Sequence, residues 1–222
     1  LRSYQADLQV VVAFRMLPEV VWAMPRFGTF NVHAALLPQY RGAAPINWAV
    51  INGETTTGVT TFFLDHEIDT GRIIMQREFP VPDEADVEYV YDGLMNLGAQ
   101  ICLDTVNLVI DTDGNVPSQP QNEDVQLHSA PKIFKETCEI DWNQPSKRVY
   151  DFVRGLSPYP GAWTTLVPVG ETKGNASVLK IFKTKKTQSA ATAAPGTLKA
   201  EHGQLFVATS DCWLELLDVQ AS

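Results

Sequence analysis

One strongly apolar segment near the start of the chain constrains the fold most. Leu8–Phe14 (LQVVVAF) is a run of apolar, largely β-branched residues, which is typical of a strand buried on both faces of a parallel sheet. A short helix is predicted over Pro18–Met24, and a second strand over Thr29–His33. Because strands that alternate with helices indicate an open α/β sheet, we expect part of an open, mostly parallel sheet.

The same alternation continues through the first half of the chain. A helix is predicted over Ile46–Ile51, strands over Gly58–Leu64 and Arg72–Phe79, and a long amphipathic helix over Val87–Ile110, with Asp86 as its N-terminal cap. A doubly wound, Rossmann-like sheet normally has βα units on both sides of its switch point, and the sequence shows only one side. We therefore interpret residues 1–112 as an α/β catalytic domain whose N-terminal βα units are missing.

The second half has a different pattern. Residues 113–131 are polar, contain three prolines and lack periodicity, which is typical of a linker between domains. After a helix predicted over Pro145–Gly155, short β-rich segments recur at intervals of about ten residues, which favours a small, OB-like β-barrel over residues 132–222. These segments are Trp163–Val167, Val178–Thr184, Gln204–Ala208 and Cys212–Val219, with Thr187–Pro195 predicted as a flexible loop.

The charge of the chain is unevenly distributed. Over the whole sequence 17 Lys and Arg stand against 26 Asp and Glu, a net charge of −9 that by itself disfavours a nucleic-acid-binding protein. Residues 1–131 carry a net −11, whereas residues 132–222 carry +2 and include the segment Glu171–Lys199 with six lysines and one glutamate. The average therefore conceals two surfaces, although composition alone explains the basic segment more simply as a solvated strand or loop.

The cysteines and the apolar runs bear on the cellular compartment. Cys102, Cys138 and Cys212 are far apart and make neither a disulfide framework nor a zinc-binding spacing. No apolar run approaches the ~18–20 residues needed to cross a bilayer, and no signal peptide opens the chain. We therefore expect a cytoplasmic protein that does not act at a membrane.

Polar and ionisable residues cluster at two points of the predicted sheet. Asn31 and His33 lie two apart at the end of a strand, so that their side chains project to the same side, at an edge where α/β sheets bind ligands. The loop Asp65–Gly71 contains four ionisable residues. An amide that donates to a developing oxyanion, an imidazole that moves a proton and a carboxylate that orients it form an acyl-transfer set.

Spacing alone does not establish this chemistry. Asn31 and His33 are more simply explained as strand-end residues hydrogen-bonded to the backbone, and His66 as an ordinary loop residue. The ionisable residues of Asp65–Asp69 lack a recognisable metal-ligand spacing, so that no metal is expected. The sequence also lacks the Gly-x-Ser-x-Gly of serine hydrolases and a Gly-rich phosphate loop.

A longer motif carries a family resemblance. Phe30–Ile46 (FNVHAALLPQYRGAAPI) resembles the signature of the folate-dependent formyltransferase family, and Thr57–Thr60 (TGVT) and Ile68–Gly71 (IDTG) follow at the interval of that family. The form of the loop at Gly42–Ile46 and the C-terminal motif Arg154–Trp163 favour the branch that formylates methionyl initiator tRNA over the branch that acts on glycinamide ribonucleotide. The resemblance covers nearly the whole chain.

This resemblance implies roles for particular residues. Asn31, His33 and Asp69 would be the catalytic residues, 10-formyltetrahydrofolate the formyl donor and initiator methionyl-tRNA the acceptor. The folate would bind to Ala35, Leu36, Leu37, Pro38, Phe14, Arg15, Met16, Leu17, Leu64 and Asp65. The tRNA would contact Arg41, Lys180, Lys183, Lys185 and Lys186, in a protein that acts as a monomer.

Departures from the family pattern leave alternatives open. Arg15 stands where the family has a glycine beside the folate pocket. The family's N-terminal βα units and basic C-terminal residues are absent, so that activity of this chain by itself is an open question. A formyltransferase that acts on an amino sugar nucleotide and a 10-formyltetrahydrofolate hydrolase are competing enzymes. A noncatalytic tRNA- or folate-binding module is the alternative of another class, which the presence of Asn31, His33 and Asp69 disfavours.

Overall fold

The computed structural model describes residues 1–13, 16–170 and 176–221. The chain divides into two units. Unit 1 comprises Leu1–Trp48, Thr55–Pro82 and Val90–Lys132, and unit 2 comprises Ala49–Glu54, Asp83–Tyr89 and Ile133–Ser222.

Unit 1 is built on a four-stranded mixed sheet. Its strands are β1 (Gln9–Val12), β2 (Thr29–His33), β4 (Thr56–Phe63) and β5 (Ile73–Pro80), in the order β1-β2-β4-β5. Only β1 and β2 are parallel, joined across the short helix α1 (Glu19–Trp22); β4 is antiparallel to both β2 and β5. The prediction of a mostly parallel sheet is therefore wrong for the described residues, because β4 and β5 are joined by a short loop and parallel pairs need a longer crossover.

Strand β1 forms where the apolar run predicts it, and within the described residues it is only partly covered. It lies at the edge of the sheet, with β2 as its neighbour in the described part of the chain. Val10 and Val12, two apart and therefore on one face, are 40% and 61% exposed. Apolar composition marks the segment correctly as a strand but does not reveal how much of it other elements cover.

The long helix α3 (Val87–Asp111) confirms the strongest periodic signal in the sequence. Asp86 caps it as predicted, since its Oδ1 accepts a hydrogen bond from the amide of Tyr89 at 2.9 Å. The hydroxyls of Thr105 on α3 and Thr61 on β4 lie 2.9 Å apart and are buried, which places this side of α3 against the sheet. By length and composition α3 is also apolar enough to cross a membrane, contrary to the expectation that no segment is, but core helices pass the same test.

The segment that follows α3 pairs with earlier parts of unit 1. Strand β3 (Arg41–Gly42) pairs in parallel with β6 (Ser129–Ala130), and a short helix α2 (Pro45–Ile51) follows β3. Gln119 exchanges two backbone hydrogen bonds with Ile73, of 2.8 and 2.9 Å. The segment 113–131, expected as a linker, is thus hydrogen-bonded to unit 1.

Unit 2 contains an antiparallel sheet of five strands and one longer helix. Helix α4 spans Ser146–Gly155, and the strands are β7 (Ala162–Leu166), β8 (Ser177–Ala190), β9 (Leu198–Glu201), β10 (Gln204–Ala208) and β11 (Cys212–Ala221). The strand order is β7-β8-β11-β10-β9. Within residues 133–170 and 176–221 no pairing joins the outer strands β7 and β9, so that the sheet is open and the predicted closed barrel is not seen.

Two details of the prediction for unit 2 are wrong. Strand β8 continues to Ala190, which pairs with Cys212, so that the first part of Thr187–Pro195 is strand and not flexible loop. Strand β9 is absent from the prediction, although its sequence LKAE alternates apolar and charged residues over four positions. Both follow from backbone pairing with a neighbouring strand, which does not require apolar side chains.

Candidate active site

Strand β2 presents the two residues that the sequence singles out. Asn31 and His33 lie opposite Phe62 and Thr60 of β4, and because they are two apart their side chains project from the same face. His33 is buried, with 6% of its surface exposed. The loop between β4 and β5 brings Asp69 beside it, with the carboxylate Oδ2 3.9 Å from Nδ1 of His33. The structure therefore brings His33 and Asp69 together and places Asn31 on the same face of β2 as His33.

The hydrogen bonds of His33 fix the state of its ring. Nε2 lies 2.9 Å from the carbonyl oxygen of Tyr40. Because a carbonyl oxygen only accepts, Nε2 carries the proton in the neutral ring, and Nδ1 is the nitrogen that can take up a second proton. The ring of Phe62 covers the imidazole edge-on, 6.4 Å between centroids. Proton transfer is thereby directed to Nδ1, on the side of Asp69.

Burial decides the charge of His33. It lowers the pKa of the imidazole below its ordinary value of about 6.5, while the negative charge of Asp69 and the hydrogen bond to the carbonyl of Tyr40 oppose it less strongly. His33 is therefore neutral near pH 7. A neutral imidazole with a carboxylate close by can accept a proton and then hold the resulting charge.

The carboxylate of Asp69 is fixed by the backbone of β3. Oδ2 accepts a hydrogen bond of 3.0 Å from the amide of Gly42. Gly42 has φ +127°, and a Cβ at this position would lie 2.5 Å from the carbonyl oxygen of Ala130 on β6. Only glycine fits this close approach, which explains the glycine of the predicted motif in physical terms.

Asn31 contains a buried atom whose bonding capacity is unused. Its Oδ1 is buried and has no hydrogen-bond partner among the described residues. A buried polar atom without a partner costs about 1–3 kcal/mol, and such atoms in native structures call for a functional explanation. Oδ1 of Asn31, on the same face of β2 as His33, can therefore accept a hydrogen bond from a ligand.

The loop that the resemblance assigns to folate is held by Thr60 of β4. The hydroxyl of Thr60 donates to the carbonyl of Ala35 at 2.7 Å and accepts from the amide of Leu37 at 3.1 Å. The side-chain amide of Gln76 on β5 donates to Thr60 and to the carbonyl of Leu37, at 2.9 and 2.8 Å. Ala35 and Leu37 are buried in unit 1, whereas Leu36 and Pro38 are half-buried and retain surface for a ligand.

The other predicted folate contacts differ in their exposure. Met16 is 65% exposed and Leu17 is half-buried, next to the end of β1. Leu64 packs against the core formed by Leu37, Phe62 and Ile73. Asp65 is exposed and accepts a hydrogen bond of 2.6 Å from the amide of His66. Phe14 and Arg15 lie outside the described residues.

The basic residues predicted to contact tRNA have different surroundings. Arg41 donates from Nε and Nη2 to Oε1 of Gln121, and from Nη2 to Glu123 at 2.8 Å. In unit 2, Lys186 forms a 2.7 Å ion pair with Asp83 and lies 4.6 Å from the centre of the Tyr150 ring. Lys180, Lys183 and Lys185 on β8 are exposed, with Lys185 3.8 Å from Glu215.

Sequence reasoning missed one residue close to Asp69. The side-chain amide of Gln121 donates to the carbonyl oxygens of Asp69 and Gly71, at 2.7 and 2.9 Å. Gln121 lies in the segment interpreted as a linker, and no periodicity or motif points to it. Its partners are about 50 residues away in sequence, so that only the fold reveals the contact. Among the described residues no group of three or more His, Cys, Asp or Glu is placed to hold a metal ion.

Comparisons with known families cover both units. A family model described as formyl transferase matches residues 1–106, and one described as formyl transferase, C-terminal domain, matches residues 132–222. The methionyl-tRNA formyltransferase of Bacteroides fragilis is 58% identical over 225 residues, which cover 99% of this chain and 68% of that protein. The methionyl-tRNA formyltransferase of Parabacteroides distasonis is 56% identical, with the same coverage.

Solved structures share the fold at lower identity. HypX from Aquifex aeolicus in complex with tetrahydrofolic acid superposes with a TM-score of 0.70 at 22% identity, over 98% of this chain and 36% of that chain. WlaRD, a sugar 3N-formyl transferase, superposes with a TM-score of 0.66 at 18% identity, over 100% of this chain and 76% of that chain. These likenesses establish the fold but do not identify the acceptor.

Proposed function

The chain belongs to the methionyl-tRNA formyltransferase family, and from this premise we propose that it transfers the formyl group of 10-formyltetrahydrofolate to the α-amino group of methionyl initiator tRNA. One observation carries the proposal: neutral His33 lies beside Asp69, and Asn31, whose side-chain NH₂ group can donate a hydrogen bond, projects from the same face of β2. Formyl transfer to an amine needs these three functions, namely a base, a counter-charge and a hydrogen-bond donor to oxygen. The relatives supply the identity of the acceptor.

The residues around β2 fit a folate donor. Leu36 and Pro38 are half-buried, Met16 is exposed, and the acceptor oxygen Oδ1 of Asn31 has no hydrogen-bond partner among the described residues. The donor supplies a formyl carbon that is activated for attack by an amine. Apolar surface next to a few convergent polar groups is the composition expected of such a site.

Each catalytic residue has a separate task in this mechanism. Asn31 donates from its side-chain amide to the formyl oxygen as negative charge develops there. His33 accepts a proton at Nδ1 from the attacking amine and passes it to the departing nitrogen. Asp69, 3.9 Å from Nδ1, stabilises the imidazolium that exists between these two transfers.

The two units divide the work in this proposal. Unit 1 carries the catalytic residues, and the segment 113–131 supports them. In unit 2 the exposed residues Lys180, Lys183 and Lys185 bind tRNA phosphates, whereas Lys186 is engaged by Asp83. The enzyme works as a monomer in the cytoplasm.

An acceptor comparison tests the proposal. Formyl transfer from 10-formyltetrahydrofolate is measured with methionyl initiator tRNA, with an amino sugar nucleotide and with no amine, using the chain and a version extended to the full length of its relatives. Of the three conditions, we expect formyl transfer only with methionyl initiator tRNA. The His33→Ala variant should transfer no formyl group to it. Transfer to the amino sugar, release of formate without an amine, or no transfer by either version would each contradict the proposal.

A further inference from the structure

We propose that Gln121, oriented by Arg41, is a positioning residue that holds Asp69 in place beside His33. This inference rests on the proposed function, and it gives Arg41 a role other than the tRNA contact that the family resemblance suggested.

The loop that carries Asp69 needs a restraint. Its preceding residues, Asp65–Ile68, are exposed, and Asp69 itself has φ +57°, in the left-handed region that non-glycine residues rarely occupy. Such a conformation persists only where surrounding structure fixes it. The side-chain amide of Gln121 donates to the carbonyls of both Asp69 and Gly71, and so fastens the turn on each side of Thr70.

Arg41 determines which way the amide of Gln121 points. Nε and Nη2 of Arg41 donate to Oε1 of Gln121 at 3.1 and 2.7 Å. Because a guanidinium can only donate, Oε1 must face Arg41, and the NH₂ group must face the two carbonyls. Glu123 accepts a further hydrogen bond of 2.8 Å from Arg41 and fixes the guanidinium in turn. With its side chain only 20% exposed, Arg41 has little surface left for a phosphate.

The same strand pair therefore holds Asp69 at two points. Arg41 and Gly42 are consecutive residues of β3, which pairs with β6. Gly42 donates to the carboxylate of Asp69, and Arg41 acts through Gln121 on its main chain. The two restraints fix both the position and the direction of the carboxylate relative to Nδ1 of His33. Precise placement of this kind is worth up to about 100-fold in rate.

Loss of the Gln121 restraint has a signature at His33. Asp69 is the charged group that raises the pKa of His33, against burial, and the carbonyl of Tyr40 is the other group that raises it. If Asp69 moves away, the hydrogen bond to Tyr40 remains and the pKa of His33 falls further. A tRNA contact would have no such effect on the imidazole.

The test uses Gln121→Met, which keeps the length of the side chain and removes its hydrogen bonds without adding charge. We expect kcat for formyl transfer to fall about 100-fold with KM for initiator tRNA unchanged, and the NMR titration of His33 to show a lowered pKa. Gln126→Met makes the same substitution on an exposed side chain of the same segment and should match the wild type. Arg41→Lys retains the positive charge but cannot donate two hydrogen bonds from a planar guanidinium to Oε1 of Gln121. It should therefore show the same fall in kcat and the same lowered pKa of His33 as Gln121→Met.

The outcomes separate this inference from the proposed function. A Gln121→Met protein that matches Gln126→Met in kcat and in the His33 titration overturns the positioning role, and so does an Arg41→Lys protein that keeps wild-type kcat or changes only KM for tRNA. The titration needs no substrate. The pKa of His33 can be lower in Gln121→Met than in the wild type even if the wild-type enzyme transfers no formyl group. That result would contradict the proposed function but support the restraint of Asp69 by Gln121.

Discussion

Burial lowers the pKa of His33 and the charge of Asp69 raises it, and burial has the larger effect. A histidine that folding places in a dry environment gives up hydration of its charged form, and one carboxylate at 3.9 Å restores only part of it. The residue is therefore available as a base at neutral pH. The same balance makes the stability of the protein depend on pH, since the unfolded chain binds a proton at His33 more readily than the folded one.

This dependence gives a prediction for His33→Gln. The pKa of His33 in the folded protein is below its value of about 6.5 in the unfolded chain, so its contribution to stability is present above pH ~6.5 and is lost as pH falls towards the folded-state pKa. We expect the wild type to lose up to about 1.4 kcal/mol of unfolding free energy per pH unit more than His33→Gln in that window. Urea unfolding of both proteins between pH 8 and pH 5, at about one-unit steps, measures it; parallel curves would show that His33 is not buried in its neutral form.

Thr60 offers a second test at the scale of one residue. Thr60→Val keeps the shape of the side chain but removes the donor to Ala35 and the acceptor for the amide of Leu37. Leaving that buried amide unpaired costs about 1–3 kcal/mol, and the loop it belongs to loses its anchor. We expect KM for the folate donor to rise and thermal stability to fall. Thr56→Val, on the exposed start of the same strand, is the matched control and should change neither.

At the scale of elements, the short pair β3–β6 is what organises the active site. It contributes only four residues, yet the amide that binds the carboxylate of Asp69 and the arginine that orients Gln121 both belong to β3. Close approach of the two strands depends on Gly42. A small distortion of the β3–β6 pair should therefore lower the rate of formyl transfer as well as the free energy of unfolding.

Gly42→Ala tests the importance of this close approach. The new methyl group would lie 2.5 Å from the carbonyl of Ala130, at a φ of +127°. We expect a loss of stability larger than the ~1–2 kcal/mol of an unfavourable φ alone, together with a fall in kcat, because the amide that holds Asp69 is displaced. Gly203→Ala isolates the backbone effect, since Gly203 has φ +78° and no atom within 4 Å of a Cβ. Equal losses of stability in the two variants would contradict the steric argument.

The sequence predicts elements better than it predicts their neighbours. The long helix α3 and its cap follow from periodicity and from Asp86, and β2 with Asn31 and His33 follows from composition and motif. The antiparallel direction of β4 depends on its pairing with β2 and β5, which local composition does not encode. For the same reason Gln121 was missed, since its role arises from a contact with a loop about 50 residues earlier.

For the whole molecule, net charge is a poor guide to partners. A total of −9 combines an acidic first part with a second part in which exposed lysines of β8 project from a sheet. Proposed tRNA binding rests on Lys180, Lys183 and Lys185. Family membership adds the acceptor, which charge cannot specify.

The lysines of β8 can be tested together. Replacing Lys180, Lys183 and Lys185 by glutamine should raise KM for initiator tRNA without changing kcat. It should also reduce the slope of log affinity against log salt by roughly two to three, if each lysine neutralises one phosphate. Lys135→Gln removes an exposed charge elsewhere in unit 2 and serves as the control. An unchanged salt dependence in the triple variant would show that tRNA binds to another surface.

The central claim is that Asn31, His33 and Asp69 act together in formyl transfer. It is tested most directly by the single-turnover rate of formyl transfer from 10-formyltetrahydrofolate to methionyl initiator tRNA, compared between the wild type and Asp69→Asn. The substitution keeps the shape of the side chain and an acceptor for the amide of Gly42, and it removes the charge that faces His33. We predict a fall of at least about 100-fold with tRNA binding unchanged; a rate close to that of the wild type would contradict the claim.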